Sequence, residues 1–358
     1  MGAGSIEISV KGRWVSVPAL DFDGRTVIVR GKWIKVAQIH DESWMESELS
    51  NPEALVKKLK EQGKDGLKAD IFTFAQKVPG SLPKYNYPSE LESVAATRTL
   101  RFDEWWSGLP QESRKNVRRS QKRGVVVSVD TFDDDLVRGI IGVNNDSPTR
   151  QDRPNLYYGQ SFDQAKKDHS AFLDRCDFIC AHADHDLIGF LKVVYRREVA
   201  AILNLAVKAS QNDKRPANAL IAKAVALCEE KGVSHLTYGM FNYGNKQDSP
   251  LREFKSRNGF EEVLTPRYYV PLTGWGTLAS KLGLHRGLLG ILPPNVIAWG
   301  LRARSKWYNF KNFLSRCSSM LERPNRIRQT ERSNPPAGSN SDSDQEALAL
   351  QTLASIHY

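Results

Sequence analysis

The stretch from Ala200 to Leu272 constrains the fold more than any other part of this chain. AAILNLAVKA is a continuous apolar run, the pattern of a strand buried on both faces. RPANALIAKAVALCEEKG follows as a long helix, apolar at Leu220, Ile221, Ala224, Val225 and Leu227 and stopped by Gly232. SHLTYGMF then reads as a strand and SPLREFKSRNG as a short helix ending at Asn258-Gly259. FEEVL and YYVPL read as two closing strands. Strand, long helix, strand, short helix and strands in that order make an α/β unit with a mixed central sheet flanked by helices.

Upstream of it the same alternation continues. LPQESRKNVRRSQKRG is a helix stopped by Gly124, VVVSVD a strand, and DDDLVRGIIGVNN a helix. DFICAHADHDLIGFLKVVYR is two strands around a polar turn at His182–Asp186. Residues 96–273 are therefore expected to be one α/β domain. Residues 1–95 read as an α+β extension. TVIVR and KWIKVAQI form a hairpin around Gly31, and DIFTFAQ is a further strand. SNPEALVKKLKEQG is a helix that Asn51 can cap, with Pro52 in its first turn and Gly63 as its stop. VPGSLPKYNYPSE reads as a connector.

Residues 274–322 mix apolar and basic residues, as an amphipathic helical arm would. Residues 323–358 run into a Pro/Gly/Ser/Asp tail that cannot bury a core and is expected to be disordered. Charge follows this division. Of the net +10, residues 274–332 hold eleven Lys/Arg against two Glu, and residues 333–358 hold three acids and no base. The basic bias thus belongs to the arm, where it favours an anionic surface, and the Trp299, Trp307 and Tyr308 of the arm suit a membrane interface as well as a docked helix. No run of about 20 apolar residues reads as a membrane span. The N-terminus carries no apolar signal core. Cys176, Cys180, Cys228 and Cys317 show no zinc-like spacing or disulfide framework. These features predict a cytoplasmic protein with reduced thiols and no metal, possible as a peripheral protein on the inner membrane face.

Residues 100–272 resemble the acyl-CoA N-acyltransferase (GNAT) fold. Phe254-Lys255 followed by Gly259-Phe260 is similar to the Phe-Lys…Gly segment of the FemAB-like group, which includes the peptidoglycan bridge-forming aminoacyltransferases. RKNVRRSQKRGVVVSV, LIGFLKVVY and YGMFNYGNKQDSPLREFK are similar to other segments of that group. The resemblance implies that the strand through Leu205 and Val207 splays from the strand through Tyr238. An acyl-CoA pantetheine arm would lie in the gap. Its pyrophosphate would meet the N-terminus of the long helix, at Lys214, Arg215, Asn218 and Ala219. The family's Gly-x-Gly/Ala loop is absent here, since no glycine lies between Gln211 and Leu220. Lys255 stands where many GNAT sequences carry a tyrosine, and would stabilise developing negative charge. Tyr243 is a candidate donor or acid, and Asp248 or Glu253 a candidate base. Tyr238, Arg267 and Tyr268 are candidates for the acceptor side.

The resemblance predicts transfer of an acyl group, acetyl in the first instance, from acyl-CoA to an amine or hydroxyl of an envelope, polysaccharide or peptide acceptor. Two alternatives stay open. One is a Fem-type transferase using aminoacyl-tRNA, for which Arg114, Arg118 and Lys122 with Lys115, Arg119 and Arg123 offer a basic helix face. The other is a non-catalytic binding protein on a degenerate acyltransferase fold. Nothing in the sequence points to DNA.

Overall fold

A computed structural model describes residues 4–10, 13–45, 47–61, 67–150, 153–242 and 249–286. Residues 1–280 group into one compact unit and residues 281–358 into a second, of which residues 281–286 are described. Most of the arm and all of the tail expected from the sequence lie outside the described residues.

Fourteen strands and eight α-helices are described. The first part holds β1 (Gly4–Val10), β2 (Arg13–Phe22), β3 (Arg25–Arg30), β4 (Val36–Ile39), α1 (Pro52–Glu61) and β5 (Ile71–Ala75). Next come β6 (Ser89–Arg98), α2 (Phe102–Gly108), α3 (Gln111–Lys122), β7 (Val126–Asp130), α4 (Asp134–Asn145), the short pair β8 (Thr149–Arg150) and β9 (Arg153–Pro154), and α5 (Phe162–His169). The last part runs β10 (Cys176–Ala183), β11 (Asp186–Arg196), β12 (Val199–Val207), α6 (Pro216–Glu230), β13 (His235–Met240), α7 (Pro250–Arg257), β14 (Glu261–Pro271) and α8 (Gly274–Lys281). Twelve of the strands make one mixed sheet, in the order β1-β2-β3-β4-β5-β14-β6-β13-β12-β11-β10-β7.

The helix boundaries follow local chemistry. Asn51 Oδ1 accepts from the Ala54 N–H at 3.0 Å and caps α1. Asp133 does the same for α4 from the Leu136 N–H at 2.8 Å, and Ser249 for α7 from the Arg252 N–H at 3.1 Å. Alternation along β10 sends Ile179 and Ala181 to one face, into the cluster with Leu220, Ile221 and Val225 of α6. Phe178 and Cys180 go to the other face, under Leu136, Ile140 and Val143 of α4. A third cluster sits under the N-terminal strands, where Leu55 and Leu59 of α1 meet Phe72, Phe74 and Tyr268.

Two features differ from the sequence reading. FEEVL and YYVPL are a single strand, β14, running through Pro266. It pairs with β6 over Glu261–Tyr268 and with β5 over Arg267–Pro271. The Pro266 carbonyl accepts from the Gln76 N–H at 2.9 Å, just past the end of β5, so its backbone faces away from β6 and the missing N–H breaks no ladder bond to β6. In addition, the expected boundary at residues 95 and 96 falls inside β6, which begins at the last two residues, Ser89 and Glu90, of the expected connector.

Candidate active site

The pairing of β12 with β13 is parallel and short, covering Val199–Ala201 against His235–Thr237. Beyond Thr237 the register of β13 against β6 shifts, with Gly239 at φ +56°. On the other side β12 carries an extra residue, Leu203, between the pairs Val193–Ile202 and Lys192–Asn204. A bulge on each strand increases local twist, so β12 and β13 part company here. Burial records the parting. Val199–Ile202 are buried and Leu203–Leu205 are half-buried.

A cavity of about 350 Å³ opens in this gap. Its walls are Leu205–Val207 of β12, Tyr238 of β13, and Pro250, Leu251 and Phe254 of α7. Val143 and Asn144 of α4, with Ser147, Thr149, Arg150 and Asn155, close the far side. Asn212 and Ala217 reach it from the start of α6. Its floor adjoins a small chamber of about 20 Å³, lined in part by Asn144, Arg150, Tyr157, Asn204 and His169. His169 is buried, and neither ring nitrogen has a hydrogen-bond partner among the described residues. Burial, with the Lys192 ammonium adding to it, holds the imidazole down at about 4, so it is neutral at ordinary pH.

Leu205, Val207 and Tyr238, all chosen from sequence, are thus brought together on one cavity. Lys255 lies one step behind its wall. The side chain is fully buried, its Nζ donates to the Met240 carbonyl at 2.6 Å, and it sits 4.5 Å from the centre of the Tyr238 ring. Burial lowers its pKa to about 7.

The donor-loop residues behave differently. Ala209–Lys214 form a 3-10 turn, whose N–H groups bond carbonyls three residues back. The Arg215 and Asn218 N–H groups bond the Asn212 and Arg215 carbonyls. Arg215 itself is left-handed, at φ +58°. The Asp146 carboxylate accepts from the Ser210 N–H at 3.0 Å and from Ser210 Oγ at 2.6 Å. Burial would raise its pKa, but these bonds, with one from the Ala209 N–H, outweigh it and hold the carboxyl low. Lys214 lies 3.8 Å from Asp184. Asn218 and Ala219 are buried, and Asn218 Nδ2 donates to Asn258 Oδ1 at 2.9 Å. Arg150 donates to the Leu205 carbonyl on the cavity wall. The basic helix α3 ends beside the same turn, where Arg123 bonds both the carboxylate and the carbonyl of Asp213 at 2.6 Å.

Arg267 and Tyr268 stand elsewhere. Arg267 is clamped between Glu92 at 2.7 Å and Glu42 at 3.0 Å. Tyr268 is fully buried in the N-terminal cluster and its hydroxyl accepts from the Lys84 N–H at 2.8 Å. Tyr243 and Asp248 lie outside the described residues. Sequence reasoning did not single out Asn144, Arg150 or His169. Among the described residues one group has metal-ligand potential. Asp130, Cys180 and His182 have ligand atoms within 4.8 Å of one another. His182 Nε2 already meets Asp130 at 2.8 Å, and burial raises the Cys180 thiol pKa, which opposes the thiolate a metal would need.

Against solved structures, the chain matches FemX with a TM-score of 0.50 and 12% identity, over 74% of this chain and 88% of that one. The chain has a GNAT-like fold, shared with FemX. At that identity the likeness is one of fold. Two further GNAT-type or related matches have lower scores. The C-terminal domain (DUF2156) of a chain provisionally assigned as a lysylphosphatidylglycerol synthetase from Agrobacterium fabrum matches at a TM-score of 0.49 and 14% identity, over 74% and 86% of the two chains. A tandem GNAT protein from the clavulanic acid biosynthesis pathway matches at 0.41 and 11%, over 72% and 82%. No family model and no curated protein matches the sequence. No described helix is long and apolar enough to cross a membrane.

Proposed function

We propose that the protein is an acyltransferase that seats an activated acyl group in the gap between β12 and β13. The observation that carries this reading is the cavity of about 350 Å³ in that gap, bounded by the start of α6 and by Tyr238. An amine or hydroxyl of an envelope, polysaccharide or peptide acceptor attacks the acyl carbon directly. The carrier's sulfur or oxygen leaves with the bonding pair, and the acceptor's proton passes to it or to solvent. Lys255 acts behind Tyr238, its ammonium favouring the negative charge that develops on the acyl oxygen. The edge of β12 beyond Ala201, no longer paired to β13, offers backbone groups to an extended carrier arm, and acyl-CoA fits that offer.

A second donor reading has its own support. The turn at Ala209–Lys214 is closed on itself and leaves little of the open N–H cradle a pyrophosphate uses. Arg150 already holds the Leu205 carbonyl. An aminoacyl-tRNA donor needs neither feature, and the basic face of α3 beside Asp213 suits a phosphate backbone.

Thermal unfolding with and without acetyl-CoA tests the first donor. A ligand at a hundred times its Kd stabilises by about 2.7 kcal/mol, a shift of a few degrees. Ala217→Trp, which fills the cavity from the start of α6, should abolish that shift. No shift with acetyl-CoA, together with a shift from charged but not uncharged tRNA, would replace acyl-CoA by the second donor. No shift with any of them would overturn the acyltransferase reading in favour of a binding role.

A further inference from the structure

The helix α8 is built inside out for a soluble surface. Its small residues face the protein. Gly276 lies so close to the Asp70 carbonyl that a Cβ would fall 1.9 Å from its oxygen, and Ala279 is fully buried. Its large residues face outward, with Trp275 47% exposed and Leu278 46% exposed. Beside it stands the turn between β3 and β4. Gly31, at φ +101°, bends the chain so tightly that a Cβ would meet the Ile34 carbonyl at 2.0 Å. The tip of that turn holds Trp33, 90% exposed.

The two elements are joined. Trp275 Nε1 donates to the Trp33 carbonyl at 3.3 Å. Asp70 accepts from the Lys35 N–H at 2.8 Å and from Thr273 Oγ1 at 3.0 Å, which pins the turn and the start of α8 to one point. Two exposed indoles and an exposed leucine therefore stand on two elements that are tied together. Lys32 and Lys35 flank Trp33 and are exposed, and α8 itself contains no acid and ends in Lys281. The chain continues from there into residues 281–332, with eleven Lys/Arg against two Glu.

We propose that Trp33, Trp275 and Leu278 form a docking surface for an anionic lipid bilayer. Indoles partition into the interfacial zone because the ring is apolar and the N–H polar. Lysines beside them are drawn to acidic headgroups, within a Debye length of the surface. Lys32, Lys35 and Lys281, with no acid in α8, favour acidic headgroups as the occupant of this surface. The inference is independent of the acyl-transfer reading.

The experiment is co-sedimentation of the full-length chain with phosphatidylcholine vesicles, with and without phosphatidylglycerol. The expected result is binding to the acidic vesicles only, weakened by salt. The Trp33→Ala/Trp275→Ala variant should bind about tenfold or more weakly, with an unchanged melting temperature. Absence of binding by the parent chain overturns the proposal. So does parent-like binding by the double variant, since the basic arm alone would then account for the affinity. A parent dimer that the double variant loses, without a change in vesicle binding, would assign the surface to a second copy instead.

Discussion

Asn218 in the first turn of α6 and Asn258 at the end of α7 share one hydrogen bond, Nδ2 to Oδ1 at 2.9 Å, in a buried setting. Asn258 also donates to the Phe254 carbonyl at 2.7 Å, and its own carbonyl accepts from Trp105 Nε1 at 3.3 Å. The pair fixes the helix that starts at the donor turn against the helix that carries Lys255. Asn218→Ala leaves the Asn258 acceptor buried and unpaired, at about 1–3 kcal/mol. Urea unfolding should show that loss. A stability within about 0.5 kcal/mol of the parent would mean that the bond is not formed in solution.

Lys255 should make stability depend on pH in the alkaline range. A lysine in the unfolded chain titrates near 10.5, and burial brings the folded value to about 7. Between these values the unfolded chain holds more protons, so stability rises with pH, by at most about 1.4 kcal/mol per unit. The cost of burying the charge is complete below about 7 and gone above about 10.5. Lys77, at about 7, and Lys192, at about 8, act in the same direction through burial. The comparison with Lys255→Met isolates the one residue. The variant should gain on the parent in weak acid and lose that advantage toward the upper end of the range. A gap independent of pH would contradict the buried ammonium.

His169 gives the corresponding effect in acid. Its folded value of about 4 lies below the ordinary 6.5. As pH falls through that interval the unfolded chain takes up a proton that the folded protein refuses, and stability declines. His169→Gln should flatten the decline, read as a smaller drop in melting temperature on acidification. Equal slopes for the two proteins would show that the imidazole has a partner in solution.

Arg267→Met should destabilise strongly and leave donor binding intact. Burial alone would lower the guanidinium pKa, but Glu42 and Glu92 outweigh it and raise it. Their side chains are themselves about as buried as that of Arg267. Removing the cation strands two carboxylates, which costs about 3–5 kcal/mol. A variant as stable as the parent but unable to bind donor would return Arg267 to the candidate site.

That last residue shows where sequence reading stopped. Lys255, Tyr238, Leu205 and Val207 could be grouped because the spacing of strands and helices alone decides which ends meet at the gap. Arg267 and Tyr268 follow Lys255 closely in sequence, but alternation along β14 sends Tyr268 into the N-terminal cluster and Arg267 to the other face, against Glu42 and Glu92. The resemblance to the GNAT fold implies a pyrophosphate contact at Asn218. Its burial depends on Asn258, 40 residues away. The strand β6 was unreadable for a different reason. SELESVAATR places Glu90 and Glu92 on the face where Val94 and Ala96 would call for apolar side chains, and Arg267 of β14 compensates Glu92. His169 carried no signal at all, since a lone histidine at a helix end says nothing about the chamber it faces.

The path of β14 limits how the gene could be shortened. A fragment starting at residue 96 would keep Ala96–Arg98 of β6 and lose Ser89–Ala95, so Glu262–Tyr268 would face open water with their main-chain groups unmatched. Such a fragment would present a sticky ribbon and should precipitate or associate. Residues 96–273 are thus inseparable from the strands that precede them, and swapping the N-terminal extension between proteins would require grafting β14 along with it.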